Sequence, residues 1–313
     1  MGKFIKKVLL AAAFIGIILL AAVAFFFAVI SPQYLYGYQA AVLDKIERLE
    51  SLDSPKIILV GNSNIAYGIC SEDIEEAFGM SVVNLGLHGG LGNEFHENMA
   101  KYNIQEGDLV ILCHKSYSLE AGTVDWNLVW ITIENHFHLW KLVRPEDYLN
   151  ALEALPKYIK SSFYLWLRGE GNVDDTTTVY SRSAFNEYGD ISYPRMELEY
   201  TFTYGSVDVP GVSDEEMERV NQLNAYCNDI GATLLIACYP IADGEFTPDH
   251  SAYIEFWDEV CAAADCDVIS DIEDYFFDYS YFYNTDLHLN DEGAKLRTAQ
   301  LIEDLREWQE GQG

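Results

Sequence analysis

Basic side chains are scarce in this 313-residue sequence, in which 19 Lys and Arg residues stand against 50 Asp and Glu residues. The formal net charge is −31. Binding to nucleic acid or to an anionic membrane surface requires clustered cations that neutralise phosphate groups, so this composition argues against both partners. We interpret the excess negative charge as a solvated surface that keeps the domain soluble.

The sequence also lacks the usual signatures of metal and cofactor binding. It has no Cys-x-x-Cys pair, no Walker A motif and no dinucleotide-binding fingerprint. His136 and His138 lie in an aromatic segment without a neighbouring cysteine or carboxylate cluster, which is a weak basis for a metal site. We therefore predict neither a metal nor a cofactor.

The six cysteines leave disulfide pairing open. Cys261 and Cys266 are close in sequence, and an extracytoplasmic location would permit a disulfide between them. Cys113 and Cys238 lie in apolar, strand-like runs, where a free thiol behaves as a small buried hydrophobe. We expect at least these two to be structural.

Hydrophobic residues, in contrast, make up 50% of the chain, which excludes a disordered protein. Lys3, Lys6 and Lys7 precede an apolar run from Val8 to about Ile30, which is long enough to cross a hydrocarbon core of ~30 Å as a helix. The run continues past the small residues at which a signal peptide would be cleaved, so we predict an uncleaved anchor. The positive-inside rule then places the rest of the chain outside the cytoplasm.

The chain divides into three parts on this basis. Residues 1–30 form a cytoplasmic tip and the anchor, and Ser31-Pro32 ends that helix. Residues 31–55 include an amphipathic helix from Tyr38 to Leu52, which we interpret as a stalk that lifts the domain off the bilayer. Residues 56–313 form one folded domain.

Short apolar runs that alternate with helical patterns predict an α/β architecture for that domain. Strands are expected at 56–60, 81–85, 108–113, 233–238 and 267–269. Fully apolar strands of this kind form a parallel sheet covered by helices on both faces, here a flavodoxin-like three-layer sandwich. The alternation of strands and helices stops between about 116 and 210. The aromatic segments found there predict an insertion that forms a lid or substrate wall, or packs on the membrane.

Two elements of the sequence carry candidate chemistry. Gly61-Asn-Ser63-Asn directly follows the first predicted strand, which places Ser63 in a tight turn at the carboxyl edge of the sheet, where catalytic loops lie. It is not a Gly-x-Ser-x-Gly elbow, because Ile65 replaces the last glycine. The second element, which contains His288, precedes the terminal helix in the run Tyr-Asn-Thr-Asp-Leu-His-Leu-Asn-Asp-Glu-Gly.

This order of motifs over residues 56–307 resembles the SGNH (GDSL-type) hydrolase and acyltransferase superfamily. His288-Leu-Asn290 followed by Gly293 is similar to the final block of its cell-surface members, some of which take part in O-acetylation or D-alanylation of wall polymers. The resemblance implies that Ser63 attacks an acyl ester, that His288 takes its proton, and that an acidic residue orients the histidine.

The acidic residue departs from the family pattern Asp-x-x-His. Asp286 lies two positions before His288, and Thr285 occupies the expected place. We expect Asp286 to orient His288, with Asn284 as a neutral alternative like the asparagine of papain-like proteases.

An oxyanion hole requires N–H donors aimed at the charge that develops on the substrate oxygen. The resemblance implies the backbone N–H of Ser63 and that of Gly86, in the glycine-bearing loop after the second strand. The family's third block, Gly-x-Asn-Asp, is missing, which leaves His114 or the amide of Asn62 as substitute donors.

These observations together predict a membrane-anchored serine esterase or O-acyltransferase that acts outside the cytoplasm. Its substrate would be an acyl ester of a cell-envelope polysaccharide or teichoic-type polymer, and its partner a membrane acyl-donor protein; this part rests on family analogy. The alternative is a non-catalytic module of the same fold that binds an envelope glycan or a membrane partner through its aromatic insertion. A lipase or thioesterase would require an apolar acyl tunnel.

Overall fold

The computed structural model describes residues 2–312, apart from the side chain of Lys3, so Met1 and Gly313 at the ends of the predicted segments lie outside the described residues. The chain begins with helix α1 (Gly2–Phe25), which a π-helical turn (Phe26–Ile30) continues. From Phe4 to Ile30 this is an almost fully exposed apolar stretch of 27 residues. It is long and apolar enough to span a membrane.

A parallel five-stranded sheet forms the centre of the domain. The strands of the described residues are β1 (Lys56–Val60), β2 (Ser81–Asn84), β3 (Leu109–Leu112), β4 (Thr233–Ile236), β5 (Ile241–Asp243), β6 (Asp267–Val268) and β7 (Phe276–Asp278). The order in the main sheet is β2-β1-β3-β4-β6, while β5 and β7 pair separately. Strand β2 lies on one side of β1, and β3 lies on the other side. The direction in which strands are added therefore reverses at β1, and α/β sheets bind their ligands at the carboxyl ends of the strands at such a point.

Helices cover both faces of this sheet, because its strands are apolar on both sides. The helices that follow α1 are α2 (Ala41–Ser51), α3 (Ser63–Gly68), α4 (Ser71–Phe78), α5 (Asn93–Ala100), α6 (Trp126–Ile133), α7 (Tyr148–Arg168), α8 (Asp214–Ile230), α9 (His250–Ala263) and α10 (Asp291–Gly311). Ile58 and Val110 share a core with α2, α5, α8 and α9. Ile57 and Ile111 face α4 and α10. The predicted α/β domain with a central parallel sheet is therefore confirmed.

The segment predicted as a stalk is packed into this domain. Helix α2 forms close to the expected position, but Ile46 and Leu49 are buried in the core. Lys45 is also buried and donates to the carbonyl oxygens of Asn84 at 2.9 Å and Gly189 at 2.5 Å. Burial of this face ties α2 to the edge of the sheet at β2, so α2 belongs to the domain rather than to a separate stalk.

The predicted insertion contains α6 and α7 and then a long irregular segment. The two helices contact each other, and Trp130 of α6 stacks on Tyr158 of α7 with ring centroids 5.5 Å apart. They also contact the end of the apolar N-terminal helix and the residue after it, where the ring of Phe27 lies 6.2 Å from that of Trp130 and the Ser31 hydroxyl bonds the Tyr158 hydroxyl at 2.5 Å. The insertion is therefore packed against the end of that helix.

Candidate active site

The turn after β1 is shaped by each residue of the Gly-Asn-Ser-Asn motif. A Cβ on Gly61 would lie 2.8 Å from the carbonyl oxygen of Cys113, so only glycine permits the close approach of β1 to the end of β3. Asn62 caps α3, its Oδ1 accepting from the N–H of Asn64 at 2.9 Å and from the Asn64 amide at 2.8 Å. Asn64 also donates to Cys113 O at 2.9 Å. Ser63 thus sits at a helix start that is tied to two strands.

His288 is presented by a loop that is held closed before α10. The hydroxyl of Thr285 accepts from the N–H of Leu287 at 3.1 Å and of His288 at 3.0 Å. Asn290 caps α10 by accepting from Gly293 N–H at 2.9 Å, as expected for that position. These bonds fix the direction in which the imidazole leaves the loop.

The structure brings the predicted pair together, although 225 residues separate them. His288 Nε2 lies 2.8 Å from Ser63 Oγ. On the other side of the ring, His288 Nδ1 lies 2.8 Å from Oδ1 of Asn284, whose amide nitrogen donates to the Tyr180 hydroxyl at 2.9 Å. With its oxygen toward the ring, Asn284 accepts a hydrogen bond from Nδ1–H, and this tautomer leaves the lone pair of Nε2 free to accept a hydrogen bond from the Ser63 hydroxyl.

Asp286 does not occupy the position that we expected. Its carboxylate lies 3.2 Å from the ammonium of Lys115, which also contacts Asp208 at 2.8 Å. The two-residue spacing from His288 points Asp286 away from the ring, whereas the four-residue spacing brings Asn284 back onto it. The neutral alternative is therefore the residue that contacts His288.

The imidazole is buried and neutral. Burial, with a smaller contribution from the nearby positive charge of Arg195, lowers the pKa of His288 to about 3. Tyr67 stacks on the ring with centroids 3.8 Å apart and planes within 4° of parallel, which prevents the ring from rotating. Arg195 donates to the carbonyl oxygen of Tyr67 at 2.6 Å. At neutral pH His288 is consequently a base, and none of the carboxylates within residues 2–312 is hydrogen-bonded to it.

Gly86 and His114 are not placed as oxyanion donors. The N–H of Gly86 already donates to Asn84 Oδ1 at 2.8 Å, and a Cβ there would lie 2.6 Å from Ile65. Gly86 therefore serves close packing. His114 is fully buried and pairs with Glu97 at 3.0 Å, so it belongs to the interior of the domain.

Donors remain available beside Ser63. The N–H groups of Ser63 and Gly89 form no hydrogen bond with the other described residues. Because the Asn62 oxygen is held by Asn64, its amide nitrogen points the other way, toward Gly89, where a Cβ would lie 3.6 Å from it. The Ser63 N–H and the Asn62 amide were predicted donors, whereas Gly89 was not predicted.

Two clefts meet at this edge of the sheet. One of about 320 Å³ contains Ser63 and His288 and has largely apolar walls, supplied chiefly by Tyr38, Tyr67 and Tyr180. The other, of about 680 Å³, extends from Asn62 past Lys115 and has hydroxyl and carboxylate groups along its walls. Lys115 lines the larger cleft, and its ion-pair partner Asp286 lines the smaller one. Their ion pair therefore lies between the two clefts.

The remaining sequence candidates carry no chemistry here. All six cysteines are free thiols, and Cys113 and Cys238 are buried, as expected. Burial raises the pKa of the Cys113 thiol to about 11. Within residues 2–312, no three His, Cys, Asp or Glu side chains are grouped to hold a metal ion, and His136 and His138 have no third ligand beside them.

Comparison of the chain with protein-family models, with curated proteins and with solved structures found no match. The chemistry of the site therefore has to be argued from its own atoms.

Besides Gly89, three further residues of the site were missed by sequence reasoning. Tyr67, Tyr180 and Lys115 contact its members, yet none lies in a recognisable motif. Tyr67 lies four residues after Ser63 on helix α3, which was predicted as part of a turn.

Proposed function

We propose that this protein is a serine esterase or O-acyltransferase. The observation that carries the proposal is the Ser63 Oγ to His288 Nε2 contact of 2.8 Å, with Nδ1 held by Asn284 on the opposite side of the ring. A nucleophile, a base and a group that orients the base, in this geometry, form the arrangement that unrelated acyl-transfer enzymes share.

In the proposed reaction, Ser63 Oγ attacks the carbonyl carbon of an ester while its proton passes to His288 Nε2. The tetrahedral oxyanion is stabilised by the N–H of Ser63, the Asn62 amide and the N–H of Gly89. His288 then returns the proton to the departing alcohol, which leaves an acyl group on Ser63. A water or acceptor hydroxyl then attacks that acyl group and gives its proton to His288. As the bond from the acyl carbon to Ser63 Oγ breaks, His288 passes this proton to Ser63 Oγ, which restores both residues.

The proposal includes kinship with the SGNH superfamily. Ser63 at the end of the first strand, His288 before the last helix and the strand order of the sheet support it. Asn284 in place of the family's aspartate sets this chain apart, because a neutral amide fixes the tautomer of His288 without stabilising the imidazolium electrostatically. The same property favours slow turnover, which suits a transferase whose acyl-enzyme must persist until its acceptor binds.

The two clefts suggest how substrates are divided. The largely apolar cleft of about 320 Å³ around Ser63 suits a short acyl group, and the cleft of about 680 Å³, whose mixed walls include hydroxyl, amide and carboxylate groups, suits a hydroxyl-rich acceptor. We propose as acceptor a cell-envelope polysaccharide or teichoic-type polymer. We also propose that α1 crosses the membrane with the domain outside the cytoplasm, close to a membrane acyl-donor protein.

Labelling with a fluorophosphonate serine probe tests this function. The full chain in detergent should be labelled, and Ser63→Ala and His288→Ala should both abolish labelling while the proteins stay folded. Ser116→Ala is a matched control. Ser116 lines the cleft of about 680 Å³, but its hydroxyl bonds Ser118 and the carbonyl oxygen of Gly211 rather than a histidine. A folded wild-type protein that is not labelled would instead favour the non-catalytic, glycan-binding alternative.

A further inference from the structure

Helix α7 exposes more large apolar side chains than it buries. Only Ala151, Tyr158 and Ser162 are buried against the domain. The exposed apolar residues recur every three or four positions and form a stripe beside that face: Leu149, Leu152, Pro156, Ile159, Phe163, Trp166 and Leu167. Leu149 is 73% exposed and Leu167 is 63% exposed, so nothing in the described protein covers this stripe.

A second stripe on the same helix is basic. Lys157, Lys160 and Arg168 are all exposed, and Glu153 is the one acidic residue of α7, so the helix carries a net charge of +2. This reverses the sign of a chain whose net charge is −31. A helix with an apolar stripe, flanking basic residues and an exposed tryptophan has the composition of a helix that lies in a membrane interface.

The position of α7 agrees with that composition. At a rise of ~1.5 Å per residue, the 27-residue anchor is ~40 Å long and exceeds a hydrocarbon core of ~30 Å. Its last turn, Phe26–Ile30, therefore lies at the membrane interface. The ring of Phe26 is 6.2 Å from that of Tyr158 in the middle of α7, and Ser31 bonds the same tyrosine.

We propose that α7 lies in the outer interface of the bilayer, with its apolar stripe against the acyl chains and Lys157 and Lys160 at the lipid headgroups. The occupant of the stripe is thus lipid, and the whole-chain acidity is compatible because only α7 and the anchor meet the membrane. The inference rests on the proposed insertion of α1. It makes the domain a fixed platform at the bilayer surface rather than a freely tethered one.

Tryptophan quenching by lipid tests the proposal with the full chain in nanodiscs. Emission of wild-type protein is compared in discs whose acyl chains are brominated and in unbrominated discs, and the comparison is repeated with Trp166→Phe. We expect Trp166→Phe to lose most of the bromine-sensitive emission. Trp308→Phe is the control, because Trp308 of α10 donates to the carboxylate of Asp267 in β6 and should contribute none of it.

A second variant, Leu152→Ser with Leu167→Ser, should reduce the quenching of Trp166 by brominated lipid, while Leu296→Ser on α10 should not. Trp166 emission that iodide quenches from the aqueous phase, and brominated lipid does not, would overturn the proposal. Shielding from both quenchers would also overturn it, because the stripe would then be covered by protein, such as a second copy. A chain that the discs do not retain would overturn the anchor itself, which is a distinguishable result.

Discussion

Replacing Asn284 with aspartate should change the pH dependence of the proposed reaction. The acid limb of the pH–rate profile, where the rate falls as His288 becomes protonated, should move to higher pH. In the proposed reaction His288 must be neutral to accept the proton of Ser63, and burial lowers its pKa to about 3. The acid limb should therefore lie near pH 3, and activity should persist through mildly acidic pH. Aspartate at position 284 would place a carboxylate where Oδ1 now lies, 2.8 Å from Nδ1.

The size of the shift follows from the geometry. Two unit charges about 4 Å apart attract by about 4 kcal/mol at an effective dielectric constant of about 20, which corresponds to about 3 pKa units. Because the buried carboxylate is itself desolvated, we expect the pKa of His288 to rise by about 1 to 3 units. The acid limb should rise by the same amount, and activity at low pH should be lost first.

The assay is the rate of fluorophosphonate labelling as a function of pH. Asp286→Asn is the matched control, since it changes charge two residues away on a side chain that contacts Lys115 and not His288. Its acid limb should coincide with that of the wild type. The reasoning would be refuted if the pH–rate profiles of Asn284→Asp and wild type had the same acid limb. It would also be refuted if the wild-type acid limb lay near the ordinary pKa of histidine.

Three further outcomes are expected. Gly86→Ala should lower the melting temperature strongly, because its Cβ would lie 2.6 Å from Ile65, whereas Gly205→Ala, with open space around it, should cost only about 1 kcal/mol. Arg297→Met should destabilise the fold by about 2–4 kcal/mol in denaturant titration, since it orphans two buried carbonyl oxygens, Asn64 O and Cys238 O, and Arg297→Lys should recover part of the loss. A thiol reagent should modify Cys261 fastest in the native protein, and Cys261→Ser should remove that phase.

Much of the sheet could be predicted from the sequence because parallel strands are apolar on both faces. The runs at Lys56, Ser81, Asp108 and Thr233 were located to within two residues. The pair β5 and β7 was missed, since each strand has three residues and no periodic pattern. These two strands could not be predicted because they are short, and not because of their amino-acid composition.

Ser63 and His288 could be predicted because each follows or precedes a regular element. The choice between Asp286 and Asn284 could not, since it depends on how the loop turns. The hydroxyl of Thr285 holds two successive N–H groups, and this turn directs position 284 to the ring and position 286 to Lys115. A local backbone conformation of this kind leaves no periodic signal in the sequence.

The insertion was the least predictable part, and it links the apolar N-terminal helix to the candidate site. Tyr38, seven residues beyond Ser31, donates its N–H to the carbonyl oxygen of Tyr180 at 3.0 Å. The hydroxyl of Tyr180 in turn accepts from the Asn284 amide, and Asn284 holds His288. Asn284 is thus positioned by contacts that begin a few residues after the apolar N-terminal helix. Because these contacts join the backbone N–H of a single 3-10 turn to groups in irregular structure, neither helical nor strand periodicity could reveal them, and a domain cut at the predicted start of β1 would lose the Tyr38 contact.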